Sequence, residues 1–223
     1  MPKPQQCPRP DRLPHDFTSR RSLDARKWTV VQTSRGRSVK QSSSLGTRYE
    51  NWMVCEFDPD SFAALRREYS VLSIISRITS PIGHPRIIRA DFKSGVLVVS
   101  SPKVFWRPLW QRVKEPVLDL DSLLQMKREL VDYIRLLYAQ GVEYKVKPNR
   151  LFPIRKSAGG WLLYLGGWVD TDFCSTPDRI QSNEWKGQEE EQLKEVERMF
   201  TEYSARVNER DKAKCNAVNH NYK

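Results

Sequence analysis

Apolar positions recur along the chain in two rhythms, and the switches between them mark the elements. Trp28-Thr-Val-Val-Gln-Thr33 is expected to make a short strand, and Ser38–Gly46 reads as a polar, Ser-rich connector. A second strand is expected over Tyr49–Phe57, with Pro59 just beyond it. Asp60 or Ser61 is then placed to cap a helix reaching about Ile78, because Phe62, Leu65, Tyr69, Leu72, Ile75 and Ile78 return every three to four residues. Its polar face is expected to hold Arg66, Arg67 and Glu68. After the Pro81–Pro85 turn, Arg86–Phe92 and Val96–Ser100 flank Lys93-Ser94-Gly95 as a hairpin.

A Pro-bearing connector with Trp106, Pro108, Trp110 and Pro116 leads to the strongest helical pattern, Ser122–Gln140. Ser122 and Gln125 make a capping-box pattern, Leu123, Leu130, Ile134 and Leu137 form the apolar stripe, and Gly141 supplies the stop. A loop over Val142–Leu151, a hairpin turning at Ser157–Gly160 and the apolar strand Trp161–Leu165 follow. A polar link, Thr171–Lys186, precedes a last helix from about Gln188 to Val207, with Leu193, Val196, Met199, Phe200 and Tyr203 on one face. The run Gln188-Glu-Glu-Glu-Gln192 at its start suits the positive end of a helix dipole. These elements make an α+β domain of about 27–205 between a basic, Pro-rich tail (1–26) and a basic tail (206–223), both expected to be disordered.

Charge changes this picture little. The chain of 223 residues carries a formal +11, but residues 1–40 hold ten Lys/Arg against three Asp/Glu and residues 204–223 hold five against two, which leaves +1 for residues 41–203. The basicity thus belongs to the ends, where weak contact with nucleic acid or an anionic surface is one reading and a solvated extension the plainer one. No stretch has the ~20 apolar residues of a membrane span, and no apolar secretion signal opens the chain, so an intracellular protein, cytoplasmic or nuclear, is expected. Cys7, Cys55, Cys174 and Cys215 show no metal or disulfide spacing. Of the three histidines, His84 in Ile82-Gly83-His84-Pro85 reads as a turn residue.

The text after the long helix carries the most information: Leu136-Leu137-Tyr138-Ala139-Gln140-Gly141-Val142-Glu143-Tyr144-Lys145-Val146-Lys147-Pro148-Asn149-Arg150-Leu151. It resembles the protein-kinase stretch in which a long helix ends in a leucine-rich turn and His/Gln-x-Gly-Val/Ile, followed by His-Arg-Asp-Leu-Lys-Pro-x-Asn-Leu. Trp161-Leu-Leu-Tyr-Leu165 resembles the strand that carries the metal-binding Asp-Phe-Gly. The short ending resembles the abbreviated kinase-like chains of fungal genomes. The resemblance covers residues 28–203. It implies a truncated two-lobed kinase-like fold, with a small antiparallel-sheet N-lobe bearing one helix (about 27–101) and a minimal, mainly helical C-lobe (about 117–205). A coincidental α+β domain is the alternative.

Carried over residue by residue, the frame fits and the chemistry does not. Where the family presents a lysine to the ATP phosphates, Met53-Val54-Cys55-Glu56-Phe57 offers Cys55 or Glu56. Glu68 matches the helix glutamate that pairs with that lysine. Aligning Lys147-Pro148 puts Glu143 at the His, Tyr144 at the Arg and Lys145 at the catalytic Asp, so a cation stands where a base must accept a proton. Arg150 falls at the metal-holding Asn, with Asn149 one place away. The Asp-Phe-Gly slot reads Gly166-Gly167-Trp168 or Gly167-Trp168-Val169, and Gly36 and Gly46 do not form a Gly-rich phosphate loop. Asp170 and Asp172 are candidate metal ligands, and Asp172-Phe173-Cys174 mimics the missing triplet; the simpler reading is that they cap or solvate a loop.

The resemblance therefore implies a pseudokinase that binds or regulates a protein partner, its cleft filled by side chains such as Trp52, Trp161 or Trp168. No cofactor is expected; ATP and Mg enter only if residual activity exists. That alternative, a phosphotransferase, would set Lys145 or Lys147 on phosphate and Asp170 or Asp172 on metal. A third reading is nucleic-acid binding through Arg20, Arg21, Arg26, Lys27, Arg35 and Arg37. A translated gene remnant without selected function is a fourth. Trp106 and Trp110 read either as packing onto the long helix or as an exposed partner patch.

Overall fold

Alternation along β3 (Glu50–Phe57) sorts its side chains onto two faces, and one face builds the core. The computed structural model describes residues 28–34, 36–46, 50–102, 107–115, 118–156, 159–166, 168, 172–173 and 177–220. Within them the chain is α+β. The strands β1 (Trp28–Ser34), β2 (Arg37–Gly46), β3, β4 (Ile87–Asp91) and β5 (Val96–Pro102) form one antiparallel sheet in the order β1-β2-β3-β5-β4. Cys55 lies opposite Val39 of β2 and Leu97 of β5, and these three join Phe57 and Val99 in the core. Helix α1 (Phe62–Ile75) adds Leu65, Val71, Leu72 and Ile75 to it.

The residues 38–46, expected as a connector, form most of β2. Serine-rich text gives no apolar alternation to read, yet backbone bonds to β1 and β3 hold it on both sides, and Val39 turns inward, buried beside its pair Cys55. Helix α1 is shorter than expected and Ser61 stands at its N-cap without a side-chain cap bond. Arg66 and Arg67 are exposed as expected, whereas Glu68 is 6% exposed and shares the inward stripe with Leu65 and Leu72.

A short helix α2 (Leu109–Arg112) precedes α3 (Leu120–Ala139). Leu123, Met126, Leu130, Tyr133, Ile134, Leu137 and Tyr138 of α3 are buried at helical spacing. The cap is Asp119 rather than Ser122: its Oδ1 accepts from the Ser122 backbone N–H at 2.6 Å, and that bond holds the Asp119 carboxyl below its ordinary value. Gln125, expected in a capping box, donates to Glu129 instead. Gly141 ends the helix with φ +73, a conformation that side chains with a Cβ rarely adopt.

Beyond it, β6 (Val142–Glu143) pairs with β9 (Asp172–Phe173), and β7 (Leu151–Arg155) pairs with β8 (Trp161–Leu165). A turn of 3-10 helix, Pro148–Arg150, joins β6 to β7. After α4 (Pro177–Ile180), helix α5 spans Asn183–His220. It starts five residues before Gln188 because Ser182 Oγ accepts from the Trp185 N–H at 3.2 Å, a serine cap. The acidic run 189–191 therefore lies past the first turn, where the helix dipole has faded. Residues 206–220, expected as a disordered tail, are helical; tail 1–26 lies outside the described residues.

Two attachments hold the sheet unit on the helical unit. Gly83 bridges β8, donating to Leu163 O and accepting from Leu165 N, both at 2.8 Å. A Cβ at Gly83 would meet Tyr164 Cδ2 at 2.9 Å, so only glycine permits this approach. His84 stacks on Tyr133 of α3, with Nδ1 3.3 Å from the phenol oxygen, so it is more than a turn residue. Within the helical unit, α5 crosses α3: Trp185 Nε1 donates to Tyr138 O at 3.0 Å, and the Arg210 guanidinium donates to Val113 O, Glu115 O and Leu118 O.

Candidate functional site

The loop after α3 is positioned by what surrounds it. Val142 and Tyr144 are fully buried and Val146 nearly so, while Lys145, Lys147, Pro148 and Asn149 face solvent, an alternation that fixes the chain's path across the core. Gln192 of α5 holds the middle of the loop by accepting from the Val146 N–H at 2.9 Å. Lys145 Nζ lies 3.6 Å from Glu143 Oε1, so the cation at the expected catalytic-base position leans on the carboxylate two residues before it. Lys147 and Asn149 sit outside the core on an exposed turn.

Arg150, where the resemblance implies a metal-holding amide, is 8% exposed and donates from Nη1 to Lys145 O at 3.4 Å. A guanidinium has five donors and no acceptor, so it repels a divalent cation and cannot ligate one. Its own carbonyl accepts from the Gly166 N–H at 2.9 Å, tying the loop to the end of β8.

That end is closed by an aromatic pair that no sequence motif marks. Tyr144 donates its phenol proton to Gly166 O at 2.6 Å and packs on Trp168 with ring centroids 4.6 Å apart. Trp168, 3% exposed, donates Nε1–H to Leu165 O at 2.8 Å. Burial raises the Tyr144 phenol far above its ordinary value, so this group stays a neutral donor at any physiological pH. The visible signal was an aromatic at both positions, but they are 24 residues apart and only the fold brings them together. Of the three tryptophans expected to fill the cleft, Trp168 is buried while Trp52 and Trp161 are half-exposed. Trp110 is half-buried against the core, and Trp106 lies outside the described residues.

On β3 the alternatives separate by face. Cys55, 1% exposed, points into the apolar core, on the side where α1 brings Leu65, Glu68 and Leu72. Glu56 lies on the opposite face and accepts from Ser38 Oγ at 3.4 Å. The inward slot thus holds a thiol, which never carries the positive charge a polyphosphate needs, and the outward one a carboxylate. Of Asp170 and Asp172, the first lies outside the described residues, and only the backbone pairing of the second with Glu143 is described. Among the described residues no three His, Cys, Asp or Glu side chains converge as a metal site would require.

Between the loop and α5 runs a groove of about 680 Å³. Its lining carboxylates Glu143, Glu191 and Glu195 match its cations Lys145, Lys194 and Arg198 in number, so the groove has no net field to gather an anion such as a nucleotide. Arg198 is also held by two bonds to Glu195, at 2.8 and 2.6 Å.

Compared with known proteins, the chain matches no family model and no curated protein. Among the described residues no helix is long and apolar enough to cross a membrane.

Proposed function

We propose that the chain is a protein-kinase-like module without phosphoryl-transfer chemistry, working by binding a protein partner. The element order supports the kinase-like part: three strands, a helix and a hairpin in one sheet, then a long helix, a loop and a second hairpin. The inert part rests chiefly on one observation. Where magnesium and phosphate chemistry would converge, Tyr144 and Trp168 pack on each other and bond the backbone of β8's end. Thiol, ammonium and guanidinium groups at Cys55, Lys145 and Arg150 complete a set with the wrong charge at each slot.

Nucleic-acid binding gains nothing from the described C-terminal segment. Arg206 pairs with Glu202, Arg210 and Lys214 with Asp211, so three of the five cations in residues 204–223 already face carboxylates. The test of the proposal is phosphate transfer. The purified chain, incubated with γ-labelled ATP, magnesium and casein, is expected to transfer no label above a blank without protein. Label incorporation that Asp170→Asn or Asp172→Asn removes would instead establish a residual phosphotransferase, with Lys145 or Lys147 on the phosphate.

A further inference from the structure

A flank of α3, bordering the core through Val131, carries a second groove, of about 500 Å³, lined by Leu124, Lys127, Arg128, Val131, Asp132 and Arg135. Residues 124, 128, 131 and 135 follow the i, i+4, i+7, i+11 spacing of one helix stripe, which spans about 16 Å, or three turns. Its floor is apolar. Leu124 is 39% exposed, and Val131, half-buried, reaches from the groove to the core. Leu136, 43% exposed, extends the apolar surface past Asp132.

The rim is cationic. Three basic side chains and one carboxylate line it, and Glu197 of α5 beside Lys127 brings the local balance to +1. Glu197 of α5 engages Lys127 at 2.6 Å and Asp132 stands 3.7 Å from Arg135. Arg128 is exposed and has no ion-pair partner among the described residues. An arginine held beside an exposed leucine in a concavity presents a charge and an apolar contact to one ligand together.

We infer that this groove docks a short acidic amphipathic helix of a partner protein, with leucine-like side chains on Leu124 and Val131 and Asp or Glu residues on Arg128 and Arg135. Charge complementarity and length select that occupant: three turns of α3 match a partner helix of about ten to twelve residues presenting apolar positions at i, i+3/i+4 and i+7. The chain's own acidic stretch at 189–191 does not fit, because the apolar face of that part of α5 is spent on the core through Trp185 and Val196. A membrane surface fits less well, since the site is concave, holds Asp132 and offers only two floor side chains. The inference rests on the α3 surface and stands whether or not the chain transfers phosphate.

The test uses the full chain and a fluorescein-labelled helical peptide with leucines at that spacing and glutamates elsewhere, against the same peptide with lysines for glutamates. Anisotropy is expected to show binding of the acidic peptide in the range of tens of micromolar, about tenfold or more tighter than the lysine version. Leu124→Glu and Arg128→Glu should each weaken it about tenfold or more, with far-UV dichroism unchanged because both side chains are exposed. Equal binding of both peptides, or indifference to Arg128→Glu in a folded variant, would overturn the inference. So would binding to phosphatidylserine vesicles, or self-association seen by sedimentation, if either shows the variant dependence expected of the peptide and the peptide does not.

Discussion

Trp168→Ala is expected to lower the unfolding free energy by about 4 kcal/mol, near the middle of the range for removing a buried tryptophan. The indole is 3% exposed, packs on the Tyr144 ring and donates to Leu165 O. Its loss opens a cavity against a buried phenol and leaves a carbonyl short of a donor, two costs that add to the lost transfer energy. Urea denaturation followed by dichroism should show a lower midpoint at unchanged slope. A loss under about 1 kcal/mol would mean that the join between the loop and β8 does not depend on this side chain.

The second large effect is expected at Arg210, whose guanidinium reaches Val113 O at 3.2 Å, Leu118 O at 2.9 Å and Glu115 O while its side chain is only 13% exposed. These carbonyls belong to the segment between α2 and α3, so one residue of α5 holds a loop more than ninety positions away in sequence. Arg210→Ala should destabilise by about 3 kcal/mol, discounted from the sum of its charged hydrogen bonds because water can reach part of the site. Arg210→Lys should recover less than half of that, since an ammonium on one stem cannot serve three acceptors spread around a planar fork. Full recovery by lysine in a thermal melt would show that charge alone, rather than the fork, is what the loop needs. The Asp211 partner is exposed, and its contact adds little.

Why some of this was legible in the sequence and some was not follows from which interactions leave a periodic trace. Helix α3 was readable because Leu123, Leu130, Ile134 and Leu137 report burial directly at helical spacing. Strand β2 was not, because its place is set by backbone bonds to two neighbours, and among its described side chains only Val39 is apolar. The start of α5 hid behind Ser182, a cap that works through one hydroxyl, and its end hid because nothing after Val207 is buried among the described side chains. At the candidate site the residue types at Cys55, Lys145 and Arg150 could be read one residue at a time. The Tyr144–Trp168 contact, the inward turn of Glu68 and the bond from Val146 to Gln192 exist only once distant segments meet.

The proposal that this kinase-like module does not accept a magnesium-bound nucleotide is tested most directly by the melting temperature of the full chain with and without millimolar Mg·ATP. A ligand present far above its dissociation constant stabilises by a few kcal/mol, which shifts a domain of this size by several degrees. The side chains at Cys55, Lys145, Arg150 and Trp168 predict a shift within about 1 °C at every concentration. A saturable rise of about 5 °C that requires both ATP and magnesium would contradict it.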